Sequence, residues 1–219
     1  MFIGHFAVGF GLKRLAPRAP LTALMAAVSF PDLLWPLLLW LGLERVRIDP
    51  GNTAFTPLDF ESYPITHSLL TAVLWSVLFA VAYVAVARDR RGALWIGFGV
   101  FSHWLLDWVT HRPDLPLAPW SSPKVGMGLW NWPVATIVTE VLMFVIGLWL
   151  YLGVTRARGL GGHLSLWSLV AFQALVYWAN MQGPPPNLLA LKIGATIAAL
   201  LTVWFVWIDR TREPRKQLG

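Results

Sequence analysis

Long apolar runs alternate with short polar connections along this chain of 219 residues. Six of the runs approach the roughly 20 apolar residues that are needed to cross the hydrocarbon core of a bilayer. They lie at residues 21–43, 68–87, 92–109, 133–154, 164–181 and 188–208. Glycine, proline and charged residues fill several of the connections, as at 49–52, 88–91 and 183–186. The pattern predicts an all-α, polytopic transmembrane helical bundle of about six spans.

Residues 1–12 are apolar but too short to cross a bilayer, and a basic turn with Lys13 and Arg14 follows them. We expect them to form an N-terminal apolar half-helix that enters the membrane and makes a helical hairpin with the first span. An amphipathic helix that lies on the membrane surface is the alternative. Residues 209–219 form a short polar tail, and the whole chain, 1–219, is expected to be a single integral membrane domain.

The composition supports a membrane protein. Hydrophobic residues make up 57% of the chain and charged residues 13%, whereas soluble domains average about 25% charged residues. The 14 tryptophans suit a protein with two interfacial belts, where indole rings rest. The sequence has no cysteine, which excludes disulfides, thiolate metal ligands and cysteine nucleophiles.

The distribution of basic residues predicts the orientation in the membrane. Twelve of the 17 lysines and arginines fall on one side if the spans alternate in direction. They are Lys13, Arg14, Arg18, Arg88, Arg90, Arg91, Arg156, Arg158, Arg210, Arg212, Arg215 and Lys216. The positive-inside rule then makes the N- and C-terminal basic segments cytoplasmic in a multi-pass protein of the cell membrane. Because these clusters are short and flank apolar runs, the net charge of +6 does not indicate a nucleic-acid partner.

The stretch from Phe101 to His111 carries the clearest chemical signal. It places His103, Asp107 and His111 at i, i+4 and i+8, on one face of a helix. Ionisable groups at membrane depth are costly and usually serve a function. Two imidazoles and a carboxylate on one stripe are typical of half of a metal site.

Other ionisable residues are expected in the same half of the bundle. Asp32 and Glu140 lie in the first and fourth spans, at depths of roughly 12–16 Å for a rise of about 1.5 Å per residue. His67 opens the second span, and His5 reaches a similar depth if the half-helix inserts. We therefore expect these side chains to converge with His103 and Asp107 in one cavity that opens to the outer face.

Each of these side chains also has a purely structural explanation. The alternatives are a helix cap by Asp32 after Pro31, capping by Thr66 beside an incidental His67, a structural His103–Asp107 hydrogen bond, solvation of His111, and a pair between Glu140 and Lys192. The placement of His5 depends on the insertion of the half-helix.

Several sequence blocks resemble those of a known family. They are Phe30-Pro-Asp32, Thr66-His-Ser-Leu69, Ser102-His-x-x-x-Asp107 followed by Thr110, and an N-terminal His5 followed by Gly9. In this order, over residues 1–120, they are similar to the predicted membrane-bound metal-dependent hydrolases of the YdjM-like family. Residues 133–208 supply three further spans.

The resemblance implies a helical membrane protein that binds a divalent metal and hydrolyses a phosphoester or another ester. It implies metal-binding or catalytic roles for His5, Asp32, His67, His103 and Asp107. The chain departs from the family at 33–35, where a second aspartate and a histidine are common, and at 62–65, where His-Arg-Gly is common. These departures argue against a full multinuclear site.

The residues and the resemblance together predict a membrane-embedded metal-dependent hydrolase that uses a metal-activated water. We expect His67, His103 and Asp107 to bind the metal, with Asp32, His5 and His111 as further candidate ligands. Glu140 and Asp32 are the candidate catalytic carboxylates. Imidazole and carboxylate ligands without thiolate favour zinc, with manganese or iron as alternatives.

The expected partners are membrane lipids and an amphiphilic, lipid-like small-molecule substrate. A non-enzymatic ion-handling or transport protein that uses the same His/Asp cluster is the main alternative function. A scaffold in which the cluster is merely structural is the third.

Overall fold

The computed structural model of the chain describes residues 1–120 and 122–215 and is mainly α-helical, which confirms the predicted fold class. The helices are α1 (Ile3–Leu15), α2 (Leu21–Trp40), α3 (Pro64–His67), α4 (Leu69–Ala87), α5 (Arg90–Thr110), α6 (Pro133–Val154), α7 (Leu160–Asn180), α8 (Leu188–Ala198) and α9 (Leu201–Thr211), with a short 3-10 helix at Leu129–Asn131. Antiparallel pairs join β1 (Arg45–Ile48) to β2 (Leu58–Ser62), β3 (Leu115–Pro116) to β4 (Lys124–Val125), and β5 (Thr155–Ala157) to β6 (Arg212–Pro214).

In the described part of the chain, five helical stretches are long and apolar enough to cross a membrane. They are α2, α4, α6, α7 and the stretch Leu188–Thr211, which contains α8 and α9. The sixth predicted span, α5, has 21 residues, but His103 and Asp107 lower its apolarity and it is not among the five. α2 runs continuously through Pro31 and Pro36, which transmembrane helices tolerate when neighbouring elements satisfy the freed backbone groups.

α1 lies inside the bundle, where it packs against α2, α5 and α6. Phe10, at its centre, is fully buried. α6 approaches α1 closely at Gly147, where a Cβ atom would lie 2.2 Å from the carbonyl oxygen of Ala7. The chain then reverses direction over residues 16–20 and continues as α2. The N-terminal half-helix therefore forms the predicted hairpin with α2, and it is not a surface helix.

The basic clusters meet at one end of the bundle, which we call the basic end and define as residues 13–20, 88–91, 155–159 and 209–215. There Arg91 Nε donates to the Leu15 carbonyl oxygen over 2.9 Å, and Asp209 Oδ1 accepts from the Leu21 backbone N–H over 2.8 Å. The pairing of β5 with β6 joins the segment 155–159 to the segment 209–215. Every second connection thus returns to the same end, as alternating spans require. Lys216 lies outside the described residues.

The opposite end, which we call the site end, is covered by the connections at residues 41–68, 111–120 and 122–132. The β1–β2 hairpin and the β3–β4 pair fold over it. Trp35 and Leu39 of α2 pack there against Val46, Tyr63 and Leu115 to form a small apolar core. This core holds α3 and the start of α4 against the last turns of α5.

Candidate metal centre

The structure brings five of the predicted site residues together near the site end. His5 comes from α1, Asp32 from α2, His67 from the last position of α3, and His103 and Asp107 from α5. They form two groups whose ligand atoms lie within 4.8 Å of one another: His5, His103 and Asp107, and Asp32, His67 and His103. His103 belongs to both groups, so the two merge into one cluster, which we call the His/Asp cluster.

The carboxylates lie between the imidazoles. Asp107 Oδ2 is 3.1 Å from His103 Nε2 and 3.6 Å from His67 Nε2, while Asp107 Oδ1 is 3.2 Å from His5 Nε2. Asp32 Oδ1 is 3.6 Å from His67 Nε2 and 3.7 Å from His103 Nε2. The rings of His5 and His103 are stacked, with centroids 3.7 Å apart. All three imidazoles therefore present Nε2 to carboxylate oxygens.

A hydrogen bond at Nδ1, the ring nitrogen that points away from the carboxylates, determines the tautomer of His103. His103 Nδ1 lies 2.8 Å from the carbonyl oxygen of Val28. Because a carbonyl oxygen only accepts, Nδ1 carries the proton and donates. A neutral His103 then has a lone pair on Nε2, which faces the carboxylates. A backbone carbonyl behind a metal-binding histidine is a common arrangement that orients the ring.

A chain of two hydrogen bonds, which we call the Glu44–Thr66 relay, connects His67 Nδ1 through the Thr66 hydroxyl to Glu44. Thr66 Oγ1 donates to Glu44 Oε2 over 2.7 Å and lies 2.6 Å from His67 Nδ1. Glu44 Oε1 also accepts from the backbone N–H groups of Ile65 and Thr66. Since the Thr66 hydroxyl proton points to Glu44, His67 Nδ1 donates to Thr66, and Nε2 keeps its lone pair. Glu44 and Thr66 thus hold His67 in the tautomer that a metal ligand requires.

These tautomers make the His/Asp cluster suitable for a cation. Lone pairs on Nε2 and on carboxylate oxygens repel at 3.1–3.7 Å unless a proton or a metal ion lies between them. His103 Nε2 is buried and has no hydrogen-bond partner among the described residues. Asp107 Oδ1 also contacts the backbone nitrogen of Met1. The donor set of imidazoles and carboxylates fits zinc, manganese or iron.

The cluster is buried on one side and open on the other. The side chains of His5, His67, His103 and Asp107 are 1–5% exposed, whereas that of Asp32 is 52% exposed. Asp32 borders a cavity of about 670 Å³ that extends to α7, α8 and α9. A substrate group in this cavity could therefore reach the cluster at Asp32.

Glu140 lies beside α1 rather than within the cluster. Its Oε2 accepts from the backbone N–H groups of Phe2 over 2.8 Å and Gly4 over 3.2 Å. A carboxylate at a helix N-terminus satisfies free amides and interacts favourably with the helix dipole. Lys192, the predicted alternative partner, instead lies over the ring of Trp40. Glu140 thus fixes the start of α1, which carries His5 one turn later.

His111 does not join the other histidines, because α5 ends at Thr110. His111 has extended backbone angles and therefore leaves the stripe that His103 and Asp107 share. Its Nδ1 lies 3.0 Å from Asp114 Oδ1, and Tyr63 donates its hydroxyl to the same oxygen over 2.7 Å. Burial lowers the pKa of His111, and the hydrogen bond to Asp114 opposes this shift. His111 is neutral at pH 7 on this account and has a structural partner other than a metal.

The structural alternatives for Asp32 and Thr66 do not match the observed contacts. α2 does not restart after Pro31, so Asp32 caps no new helix. Ser68, not Thr66, precedes α4, and its side chain accepts from the Thr71 backbone N–H. The contact between His103 and Asp107 is present, as the structural alternative for that pair requires.

Two carboxylates of this region have no obvious signal in the sequence. Glu44 lies in the connection after the first span, where nothing marks it as the partner of Thr66. Asp114 follows His111 by three residues, and this spacing is the only sign of their pairing. Both act on histidines through contacts that depend on how the connections fold.

The comparisons with known proteins identify a family. A family model described as YdjM inner membrane protein matches residues 1–183, which includes every residue of the His/Asp cluster. The search of curated proteins and the search of solved structures gave no match.

Proposed function

Since the chain belongs to the YdjM inner membrane protein family, we propose that it is a membrane-embedded, metal-dependent hydrolase. The observation that carries this proposal is the convergence of five ligand-type side chains from α1, α2, α3 and α5. Ionisable side chains are costly to bury beside one another without a compensating charge. A divalent cation supplies that charge.

His67, His103, Asp107, Asp32 and His5 are the residues that would hold the metal, with zinc expected first. A zinc ion held by them would lower the pKa of a coordinated water to about 7, which would supply a nucleophile at neutral pH. Val28 and the Glu44–Thr66 relay orient His103 and His67 so that each presents Nε2. Asp107 is the central carboxylate, since it lies beside three imidazoles.

Asp32 is the better placed of the two carboxylates predicted to act as a base. It is half exposed to the cavity, where it can take a proton from the attacking water and pass it to solvent. Glu140 is engaged by the backbone of α1. We therefore assign Glu140 the role of positioning His5.

The cavity supports an amphiphilic substrate. Its volume of about 670 Å³ lies in the usual range for small-molecule sites, about 300–1,000 Å³. Apolar side chains of α2, α7, α8 and α9 line most of it, and the His/Asp cluster lies at its polar part. An apolar tail fits this lining while a phosphoester or ester group reaches Asp32.

The orientation follows from the positive-inside rule. The basic end is assigned to the cytoplasm, and the site end to the outer face of the cell membrane. Membrane lipids then surround the exposed apolar faces of α4, α6 and α8.

Hydrolysis of bis(p-nitrophenyl) phosphate and p-nitrophenyl acetate by the purified protein tests the enzyme assignment. We expect turnover of at least one probe, loss of turnover after treatment with a chelator, and recovery with zinc. Asp32→Asn is expected to lower the rate by about 10²–10⁴-fold, while His5, His67, His103 and Asp107 are expected to retain the metal. His163→Ala, a change at an exposed histidine of α7 outside the cluster, serves as the control and should leave the rate unchanged. Bound metal without turnover of either probe would favour the ion-handling alternative.

A further inference from the structure

The part of the cavity wall that α7 forms contains polar side chains without hydrogen-bond partners in the described chain. Gln173 and Tyr177 of α7 line the cavity, and their spacing of four residues places them on one face of the helix. They are only 3% and 5% exposed. Neither amide atom of Gln173, nor the hydroxyl of Tyr177, has a hydrogen-bond partner among the described residues. Such groups are costly to bury, so a bound molecule that pairs with them gains their full hydrogen bonds.

These groups lie close to the metal centre. The Tyr177 ring contacts the ring of Phe2, with centroids 6.2 Å apart, and the Phe2 backbone is held by Glu140. Gln173, Tyr177, Asp32 and the histidines of the cluster border the same cavity. One ligand can therefore touch both the cluster and α7.

The unsatisfied groups around the cavity are mainly donors. The indole Nε1 atoms of Trp35 and Trp130 can only donate, and both are buried without a partner in the described chain. The Gln173 amide and the Tyr177 hydroxyl add N–H and O–H donors from the other side. These four donors call for a ligand that is rich in acceptor oxygens, while the unpaired Gln173 Oε1 can accept one hydrogen bond from it.

From this juxtaposition we propose that Gln173 and Tyr177 form a carbonyl-binding subsite for a diacyl glycerophospholipid, a proposal that rests on the hydrolase function above. The phosphate of the lipid lies at the His/Asp cluster, its ester carbonyl oxygens accept hydrogen bonds from Gln173 Nε2 and Tyr177 Oη, and its acyl chains follow the apolar lining. A polyprenyl phosphate has no acceptor oxygen along its chain, so it leaves both donors unpaired.

The test compares two lipids that differ only in the carbonyl groups. Dioctanoyl phosphatidic acid and its dioctyl ether analogue are titrated into the full-length protein in detergent, and binding is followed by calorimetry. Wild type is expected to bind the diacyl lipid roughly tenfold more tightly, because one or two net hydrogen bonds are lost with the ether. Equal binding of the two lipids would overturn the subsite, as would tighter binding of farnesyl phosphate than of the diacyl lipid.

Variants locate the preference on α7. Gln173→Leu and Tyr177→Phe should each weaken diacyl binding about 3–10-fold and leave ether binding within about twofold, which also reports that the variant is folded. Gln182→Leu, at an exposed glutamine outside the cavity, is the matched control and should retain the full preference. Retention of the preference in both Gln173→Leu and Tyr177→Phe would refute the assignment.

The outcome is separable from that of the proposed function. His103→Ala should weaken the binding of both lipids by the same factor, so that the ratio of their affinities is unchanged. A protein that binds no metal but keeps the diacyl preference would sustain the subsite and remove the hydrolase. A protein that binds metal and turns over esters without any preference for the diacyl lipid would support the hydrolase and refute the subsite.

Discussion

The hydrogen bonds from Glu44 through Thr66 to His67 provide a sharp test of the proposed metal site. Thr66→Val keeps the shape of the side chain and removes the hydroxyl that bridges Glu44 Oε2 at 2.7 Å and His67 Nδ1 at 2.6 Å. All three residues are at most 5% exposed, so water does not readily replace the lost group. Loss of such an outer partner typically lowers metal affinity by about 10–100-fold. We expect that range for zinc, which corresponds to about 1.4–2.8 kcal/mol.

The same substitution should also destabilise the fold. A buried carboxylate oxygen and a buried imidazole N–H each lose a partner, and leaving a buried group unpaired costs about 1–3 kcal/mol. For two such groups the cost is about 2–6 kcal/mol, and we expect the lower end, about 2–3 kcal/mol, because Glu44 Oε1 keeps its two backbone donors. Zinc affinity is measured by competition with a chelator of known affinity, and stability by thermal unfolding in the same detergent.

Two controls separate the relay from general stability. Thr66→Ser restores the hydroxyl and should return zinc affinity to within about threefold of wild type. Thr53→Val removes another buried hydroxyl at the site end, which bonds only to Thr56, and should cost about 1–3 kcal/mol in stability without changing zinc affinity. If Thr66→Val loses stability but binds zinc as wild type does, the relay does not tune His67 and the reasoning fails.

Three further predictions concern α1 and the orientation. Glu140→Gln should lower stability by about 1–2 kcal/mol in thermal unfolding, because α1 loses a carboxylate at its N-terminus, and should weaken zinc binding through His5; unchanged zinc binding would separate His5 from the site. Gly147→Ala should cost about 1–3 kcal/mol, because its Cβ meets the Ala7 carbonyl, whereas Gly153→Ala in the last turn of α6, which meets open space, should be neutral or stabilise by up to about 1 kcal/mol; equal effects would show that α1 does not pack closely on α6. In intact cells, a cysteine at Ala54 should react with an impermeant maleimide and one at Arg90 at the basic end should not, and the opposite labelling pattern would reverse the orientation.

Much of the fold is predictable because hydrophobic length is a strong local signal. The apolar runs gave α2, α4, α6 and α7, and the i, i+4 spacing of His103 and Asp107 placed both on one face of α5. His111 continued that spacing in the sequence but lies beyond the end of the helix. The connection that follows α5 determines where this helix ends and therefore where the His111 side chain points. The periodicity of the sequence does not reveal the position of that helix end.

The supporting residues of the site were harder to predict, because their contacts cross the bundle. Glu44 meets Thr66 across the connection after α2, and this connection carries no periodic pattern. Glu140 is a candidate catalytic carboxylate in the sequence, with a Lys192 pair as its structural alternative, yet it binds the backbone amides of α1, because a helix N-terminus attracts a carboxylate without any charged side chain. Gln173 was recognisable only as an amide in an apolar span, and its role depends on the cavity beside it.

The metal content of the purified protein is the most direct test of the His/Asp cluster. Elemental analysis of the detergent-purified wild type is expected to give at least one divalent metal ion per chain, with zinc first among the candidates. His103→Ala and Asp107→Asn should each lose that metal while the far-ultraviolet circular dichroism of the helical bundle is retained. A wild-type protein without metal after exposure to zinc, manganese and iron, or full metal content in both variants, would contradict the account.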